Sequence, residues 1–116
     1  MAGSEAPLYD RNAAIAQLDG DAGLFAEIAT VFVAESETYC RALEAALVSG
    51  NAVELRREAH TLKSMLATFA YETARARAQQ LEHLAAAGDF AGVPARVAEL
   101  TSAIRGLAVA LVHDSA

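Results

Sequence analysis

The sequence repeats the period of an α-helix in four long segments, which are separated by residues that favour turns. The pattern is clearest from about Ala52 to Phe69, where apolar residues alternate between spacings of four and three: Leu55, Ala59, Leu62, Leu66 and Phe69. This spacing puts the five side chains on one face of a helix, as in the core of a helical bundle. The sequence therefore predicts an all-α protein.

The other segments follow the same rule. A helix from about Asp21 to Val48 ends at Ser49-Gly50-Asn51, and its predicted core stripe consists of Leu24, Ile28, Val31, Phe32, Tyr39, Leu43 and Leu47. A helix from Tyr71 to Ala87 stops at Gly88-Asp89, and its predicted core residues are Ala74, Ala78, Leu81 and Ala85. The last helix starts near Pro94 and is predicted to bury Val97, Leu100, Ile104, Leu107 and Leu111.

A short first helix is predicted after Asp10, a suitable N-cap, with Ile15 and Leu18 facing inward. The short connections imply that neighbouring helices are antiparallel, so we expect an antiparallel up-and-down four-helix bundle with a short additional N-terminal helix. The length of 116 residues suits a single domain, residues 1–116, in which residues 1–9 are expected to form a flexible segment.

The formal net charge of −6 argues against nucleic acid or an anionic membrane as a partner, because both attract clustered basic residues. No apolar run reaches the roughly 18 to 20 residues of a membrane span, and the N-terminus lacks the pattern of a secretion signal. A cytoplasmic location is therefore expected. Cys40, the only cysteine, is predicted to be a packing residue.

His60 lies about 140° from the centre of the core stripe of its helix, at about 100° per residue, so it should be exposed. The interval from Arg56 to Arg77 contains five basic residues and two acidic ones, in an otherwise acidic chain. Such a surface favours a phosphoryl group or an acidic partner. A neutral imidazole has one nitrogen lone pair free and can act as a nucleophile.

The stretch Ala59-His60-Thr61-Leu62-Lys63-Ser64, followed by Leu81-Glu82 on the next helix, resembles the histidine phosphotransfer (HPt) domain family. The usual pattern in that family is A-H-x-L-K-G with a downstream L-E or L-Q. The resemblance implies a phosphoryl carrier rather than an ATP-dependent kinase. Its partners would be the receiver domains of response regulators and a hybrid sensor histidine kinase.

By this resemblance His60 is the phosphorylated nucleophile, and Lys63 helps to hold the phosphoryl oxygens. Glu82, or Gln79 one turn earlier, would orient the imidazole. The predicted docking residues surround His60 on the helix: Arg56, Arg57, Ser64 and Ala67. The domain is expected to bind no cofactor or metal, with Mg²⁺ bound in the partner receiver domain.

Two residues depart from the family pattern. Ser64 and Ala70 stand where the family usually has glycine, and Ala70 is expected to turn the chain by another route. These departures keep open an alternative function, a phosphorylation-independent adaptor that docks on a kinase or response regulator. A di-metal carboxylate bundle is disfavoured, because it needs Glu-x-x-His pairs that point inward from facing helices, and the sequence has none.

Overall fold

The computed structural model describes residues 9–115, and five helices make up most of this range. They are α1 (Arg11–Ala16), α2 (Ala22–Ser49), α3 (Ala52–Thr68), α4 (Glu72–Ala87) and α5 (Val93–Ser115). No strand occurs between residues 9 and 115. The predicted helices are all present, and the bounds predicted for the four long ones agree to within one residue. The flexible segment predicted at residues 1–9 lies outside the described residues apart from Tyr9, whose hydroxyl donates to the carboxylate of Asp114.

Helices α1, α2 and α3 begin at residues whose side chains satisfy free backbone N–H groups. The carboxylate of Asp10 accepts from the N–H of Ala13, and that of Asp21 accepts from the N–H of Leu24. Asn51 caps α3 in the same way, accepting from Glu54 at 3.0 Å. These N-caps explain why each helix starts where it does, because the first N–H groups of a helix have no partner within it.

Three helices end with a residue in the left-handed conformation. Gly50 after α2 has φ 66° and Gly88 after α4 has φ 70°, which glycine adopts without strain. The third is Ala70, with φ 52°, and the N–H of Tyr71 donates to the carbonyl of Leu66 in a Schellman motif. The expectation that Ala70 turns the chain by another route was therefore wrong. The alanine keeps the conformation that glycine favours.

Helices α2 to α5 each pack against the next, and α5 packs back against α2, while α1 lies against α2. The connections are two residues long between α2 and α3, three between α3 and α4 and five between α4 and α5. This is the predicted antiparallel four-helix bundle with a short additional helix. None of the helices within residues 9–115 combines the length and apolar character needed to cross a membrane.

All the predicted core residues of α3, α4 and α5 are buried. The prediction for α2 was partly wrong, because Val31 is 60% exposed and Leu24 is 40% exposed. The buried residues of α2 are Phe25, Phe32, Ser36, Cys40, Leu43 and Ala46. Helix α2 has 28 residues and packs against three other helices, so no single stripe on it describes what is buried.

Cys40 is fully buried, and burial raises the pKa of its thiol. Its sulfur donates to the carbonyl of Thr101 on α5 at 3.7 Å. These observations agree with the predicted packing role.

Helices α3 and α4 pack closely against each other, and both bury small residues. Ala59 on α3 and Ala74 and Ala78 on α4 are fully buried. Side chains of this size let two helices pack at short interaxial distance. Close packing brings the side chains that flank the contact within reach of each other across the two helices.

Candidate functional site

His60 lies on the outer surface of α3, as its position on the helix predicts. Its side chain is 61% exposed, while Ala59 and Leu62 on the same turn are buried in the core. A shallow cleft of about 390 Å³ surrounds the imidazole and is lined by Val53, Arg56, Arg57, His60, Thr61 and Glu82. The ring is therefore open to a partner molecule on one side and supported by the bundle on the other.

Glu82 on α4 contacts the inner side of the imidazole. Its Oε2 lies 3.0 Å from Nδ1 of His60, and the glutamate side chain is only 14% exposed. An ionised carboxylate only accepts hydrogen bonds, so the proton of the neutral imidazole is assigned to Nδ1. The lone pair of the neutral ring then lies on Nε2, the ring nitrogen that Glu82 does not contact.

Lys63 completes the group of three side chains. Its Nζ lies 2.8 Å from Oε1 of Glu82, and its side chain is 27% exposed. The contact with Lys63 is the largest influence holding the pKa of Glu82 below its ordinary value. Burial acts in the opposite direction, and the hydrogen bond with His60 lowers the pKa further. Glu82 is thus a carboxylate that bridges an imidazole and an ammonium group.

The structure joins Glu82, rather than Gln79, to the imidazole. The side-chain oxygen of Gln79 accepts a hydrogen bond from Arg75 at 3.0 Å. Arg75 also donates to Glu72 at 2.9 Å, so these three residues form a separate polar cluster on α4.

Ser64 and Ala67 lie one and two turns beyond His60 on α3. The hydroxyl of Ser64 donates to the carbonyl of His60 at 3.4 Å, so it is directed along the helix rather than outward. Ala67 is half-buried, and its carbonyl accepts a hydrogen bond from Gln17, just after α1. Both positions carry small side chains, so little of α3 protrudes beside the imidazole.

The basic residues around His60 differ in how they are paired. Arg57 donates to Glu54 at 2.8 Å, and Lys63 is held by Glu82. Within residues 9–115, Arg56 and Arg77 are exposed and make no ion pair. The positive charge predicted for this region is therefore partly neutralised, and Arg56 is an uncompensated cation in the cleft of His60.

An apolar groove of about 340 Å³ lies between α2 and α3. Leu24, Ile28 and Val31 form its wall on α2, and Met65 and Thr68 line it on α3. The two α3 residues are the sequence neighbours of Ser64 and Ala67, two of the predicted docking residues. Sequence reasoning missed this groove because it assigned Leu24 and Val31 to the core.

A signal for the groove was present in the sequence. Leu24, Ile28 and Val31 repeat the helical spacing beside Phe25 and Phe32. The apolar residues of α2 therefore cover a wider part of the helix surface than one neighbouring helix can bury.

Within the range 9–115, no group of three or more His, Cys, Asp or Glu side chains has an arrangement suited to a metal ion. Glu82 and His60 lie together, but the third member of their group is the ammonium of Lys63, which repels a cation.

Comparison with known proteins places these features in a family. A family model described as the Hpt domain matches residues 27–110. The chain is also similar to a solved structure, histidine-containing phosphotransfer protein B (HptB) from Pseudomonas aeruginosa PAO1, with a TM-score of 0.84. Sequence identity to HptB is 23%, over 95% of this chain and 96% of the other, so this similarity establishes the fold. No curated protein matches the sequence.

The range matched by the family model includes the whole of α3 and α4, which carry His60, Lys63 and Glu82. It covers well over half of the chain. The chain therefore belongs to the Hpt domain family, and it has a histidine phosphotransfer role in two-component signalling.

Proposed function

We propose that His60 accepts a phosphoryl group from the aspartate of one receiver domain and passes it to the aspartate of another. The observation that carries the proposal is an exposed imidazole whose Nδ1 lies 3.0 Å from the carboxylate of Glu82. This contact leaves the other ring nitrogen, Nε2, as the nucleophile. The role assigned to Glu82 is to orient the ring and select the nitrogen that reacts.

In the first transfer, the lone pair of Nε2 attacks the phosphorus of an aspartyl phosphate. A bond between nitrogen and phosphorus forms while the bond between phosphorus and the aspartyl oxygen breaks, and the aspartate leaves as a carboxylate. The ring keeps its proton on Nδ1 and becomes positively charged, and the carboxylate of Glu82 stabilises that charge. The second transfer runs the same steps in reverse, with the aspartate of another receiver as the nucleophile.

Lys63 follows His60 by three residues on α3. We assign it to contact the phosphoryl oxygens once the phosphoryl group has been transferred to His60. An ammonium group is a compact charge that approaches such an oxygen without demanding bidentate geometry. We assign Mg²⁺ and most of the charge stabilisation to the receiver domain, and no cofactor to this domain. Phosphoryl transfer depends mainly on positioning and electrostatics, so a single placed imidazole is a sufficient contribution from the carrier.

Hpt domains are in general phosphocarriers and not kinases, and they interact with receiver domains and kinases. We propose that this chain likewise lacks ATP-dependent kinase activity of its own. Its phosphoryl groups would come from a hybrid sensor histidine kinase through that protein's receiver domain.

The proposed docking surface comprises Arg56, Arg57, Ser64 and Ala67 together with the apolar groove between α2 and α3. Arg56 supplies charge that complements an acidic receiver pocket. The groove supplies apolar area, because exposed contiguous apolar residues mark interaction surfaces.

Replacing Val31 in the groove by aspartate should slow phosphotransfer, because the partner then meets a charge where it needs an apolar contact. Val48→Asp is the matched control, since Val48 is 87% exposed near the C-terminal end of α2 and outside the groove. Transfer rates at several receiver concentrations measure the effect. Equal rates for the two variants would remove the groove from the docking surface.

The acceptor role of His60 is tested with a receiver domain charged by labelled acetyl phosphate. The domain should acquire a label that is labile in acid and stable in alkali, as expected for phosphohistidine. His60→Gln should abolish the label, whereas His83→Gln and His113→Gln should retain it, since both control histidines are exposed and outside the cleft. Label that persists in His60→Gln would overturn the assignment. No label from any of a panel of receivers would favour the adaptor function.

A further inference from the structure

Helix α3 ends beside the turn that follows α1, and a side chain from that turn satisfies the end of the helix. The last four carbonyl groups of an α-helix have no partner within the helix. The carbonyls of Met65, Leu66 and Ala67 accept from backbone N–H groups of the residues that follow α3. The carbonyl of Thr68 has no backbone donor among the described residues, and the side-chain amide of Gln17 donates to it at 3.3 Å.

Gln17 donates to two carbonyl groups at once. Its Nε2 lies 3.3 Å from the carbonyl oxygen of Ala67 and 3.3 Å from that of Thr68, so each N–H of the amide has an acceptor. At the other end of α1, the backbone N–H of Asp10 donates to the carbonyl of Ala70 at 3.3 Å. The residues that flank α1 on both sides are therefore bonded to the C-terminal end of α3 and the turn after it.

The position of Gln17 in the chain makes this contact a link between the two walls of the apolar groove. The wall on α2 begins at Leu24, shortly after Gln17, and Thr68 lines the opposite wall on α3. The turn between α1 and α2 is closed by its own backbone hydrogen bonds, such as that from Gly20 to Ile15. The bonds from Gln17 therefore restrain the α3 wall relative to the α2 wall.

Both polar groups of Thr68 other than its N–H are bonded within the protein. Its carbonyl accepts from Gln17, and its hydroxyl donates to the carbonyl of Ser64 at 3.1 Å. The hydroxyl of Ser64 donates in turn to the carbonyl of His60 at 3.4 Å. Hydrogen bonds thus follow one side of α3 from Gln17 to the turn that carries His60, by way of side chains that bond one helical turn back.

We propose that Gln17 is a positioning residue for the docking of receiver domains: it fixes the last turn of α3 and so keeps Ala67, Thr68 and the α3 wall of the groove in place. This inference rests on the proposed function, which assigns that surface to receiver docking. Gln17 does not line the cleft of His60. Its effect should therefore appear in the affinity for the receiver, and not in the rate of transfer within the complex.

The first measurement is amide hydrogen exchange in the free protein, which reports local opening. Gln17→Met removes the donor at similar size and should speed exchange at Phe69, Ala70 and Tyr71 by roughly two- to tenfold, as expected for the loss of one hydrogen bond. Gln17→Lys should keep exchange slow, because an ammonium group can donate to the last carbonyls of a helix. Gln80→Met is the matched control, since Gln80 is exposed on α4 and lines neither the cleft nor the groove.

The second measurement is the dissociation constant of a receiver domain by titration calorimetry, together with the transfer rate at saturating receiver. Gln17→Met should weaken binding by roughly two- to tenfold and leave the saturated rate unchanged. Unchanged exchange or unchanged affinity would overturn the proposal.

Weaker binding without faster exchange would also overturn it, because Gln17 would then contact the receiver directly. The expected loss of affinity in a protein that binds receivers but transfers no phosphoryl group would refute the proposed function and leave this inference intact. Failure of every receiver to bind the wild type would overturn both.

Discussion

Ala70 stands where the Hpt family usually has glycine, and it keeps a backbone conformation that glycine adopts more easily than alanine. Its φ of 52° lies in the left-handed region, which a Cβ atom disfavours by about 1–2 kcal/mol. The Schellman hydrogen bonds around it are nevertheless complete, from Ala70 to Ala67 and from Tyr71 to Leu66. The surrounding structure therefore imposes the conformation on the alanine.

We expect Ala70→Gly to stabilise the protein by about 0.5–1 kcal/mol, because glycine removes the strain but adds freedom to the unfolded chain. Denaturant unfolding measures the change in free energy of unfolding. Ala76→Gly is the control, since Ala76 is exposed within α4 and the same exchange there should destabilise by about 1 kcal/mol. Destabilisation by Ala70→Gly would show that the methyl group contributes more by packing than it costs in strain.

Glu82 links protonation to stability. Its pKa is held below the ordinary value, first by Lys63 and then by His60, while burial opposes the shift. A carboxyl group with a lowered pKa in the folded state stabilises that state at pH above its unfolded pKa, and this contribution disappears as the pH falls through the folded pKa. The bridge between His60 and Lys63 therefore stabilises the fold at neutral pH.

Glu82→Gln should accordingly be less stable than the wild type at neutral pH, and the gap should close as the pH falls below the ordinary pKa of a glutamate and through the lowered pKa of Glu82. Thermal unfolding followed by circular dichroism across this pH range measures the gap. Glu35→Gln removes the same charge from an exposed position on α2 and serves as the control. A gap that stays constant with pH would mean that ionised Glu82 does not contribute to stability.

Helices α3 and α4 are the elements that create the site, because neither carries it alone. Helix α3 presents His60 outward and Lys63 toward Glu82, while it buries Leu55, Ala59, Leu62 and Leu66. Helix α4 supplies Glu82 next to its buried Leu81. The core residues thus determine the direction of the site residues, since both sets lie on the same helices at fixed angles.

Leu62→Ala should destabilise the bundle by about 2 to 5 kcal/mol, because Leu62 is almost fully buried beside the site. Chemical denaturation measures the loss. Thr61→Ala, at the exposed neighbouring position, should change stability by no more than about 0.5 kcal/mol. A Leu62→Ala variant as stable as the wild type would contradict the burial of Leu62 in the core of the bundle.

Charge is distributed unevenly over the whole molecule. The net charge is −6, yet the surface around His60 carries Arg56 and Arg57. Elsewhere Arg105 on α5 pairs with Glu37 on α2 at 2.8 Å and joins the two helices. A receiver with an acidic pocket would therefore be steered toward one face of an otherwise acidic protein.

Arg56→Glu should slow transfer from a charged receiver on the order of tenfold at low ionic strength, and added salt should shrink the difference. Initial rates at subsaturating receiver concentration, measured over a series of salt concentrations, test this. Arg41→Glu makes the same change in net charge on α2, where Arg41 lies near Glu37 rather than His60. Equal slowing by both variants would indicate a general charge effect instead of docking at Arg56.

Much of the fold could be predicted because it depends on local signals. The turn residues at Gly50 and Gly88 and the caps at Asp10 and Asp21 lie at the ends of helices in the structure. The α2 stripe was misjudged for a non-local reason. Whether Val31 is buried depends on which helices pack against α2 at that point, and a helical wheel contains no information about neighbours.

The sequence by itself determined the helices, their boundaries and the outward direction of His60, because helical periodicity and capping act over a few residues. Only the tertiary structure decided which oxygen of Glu82 contacts His60 and which contacts Lys63. It also decided that Gln79 accepts a hydrogen bond from Arg75 and does not contact the imidazole. These contacts depend on how closely α3 and α4 pack and on their relative rotation. Buried alanines on both helices favour a close approach, but the final geometry results from the packing of the whole bundle.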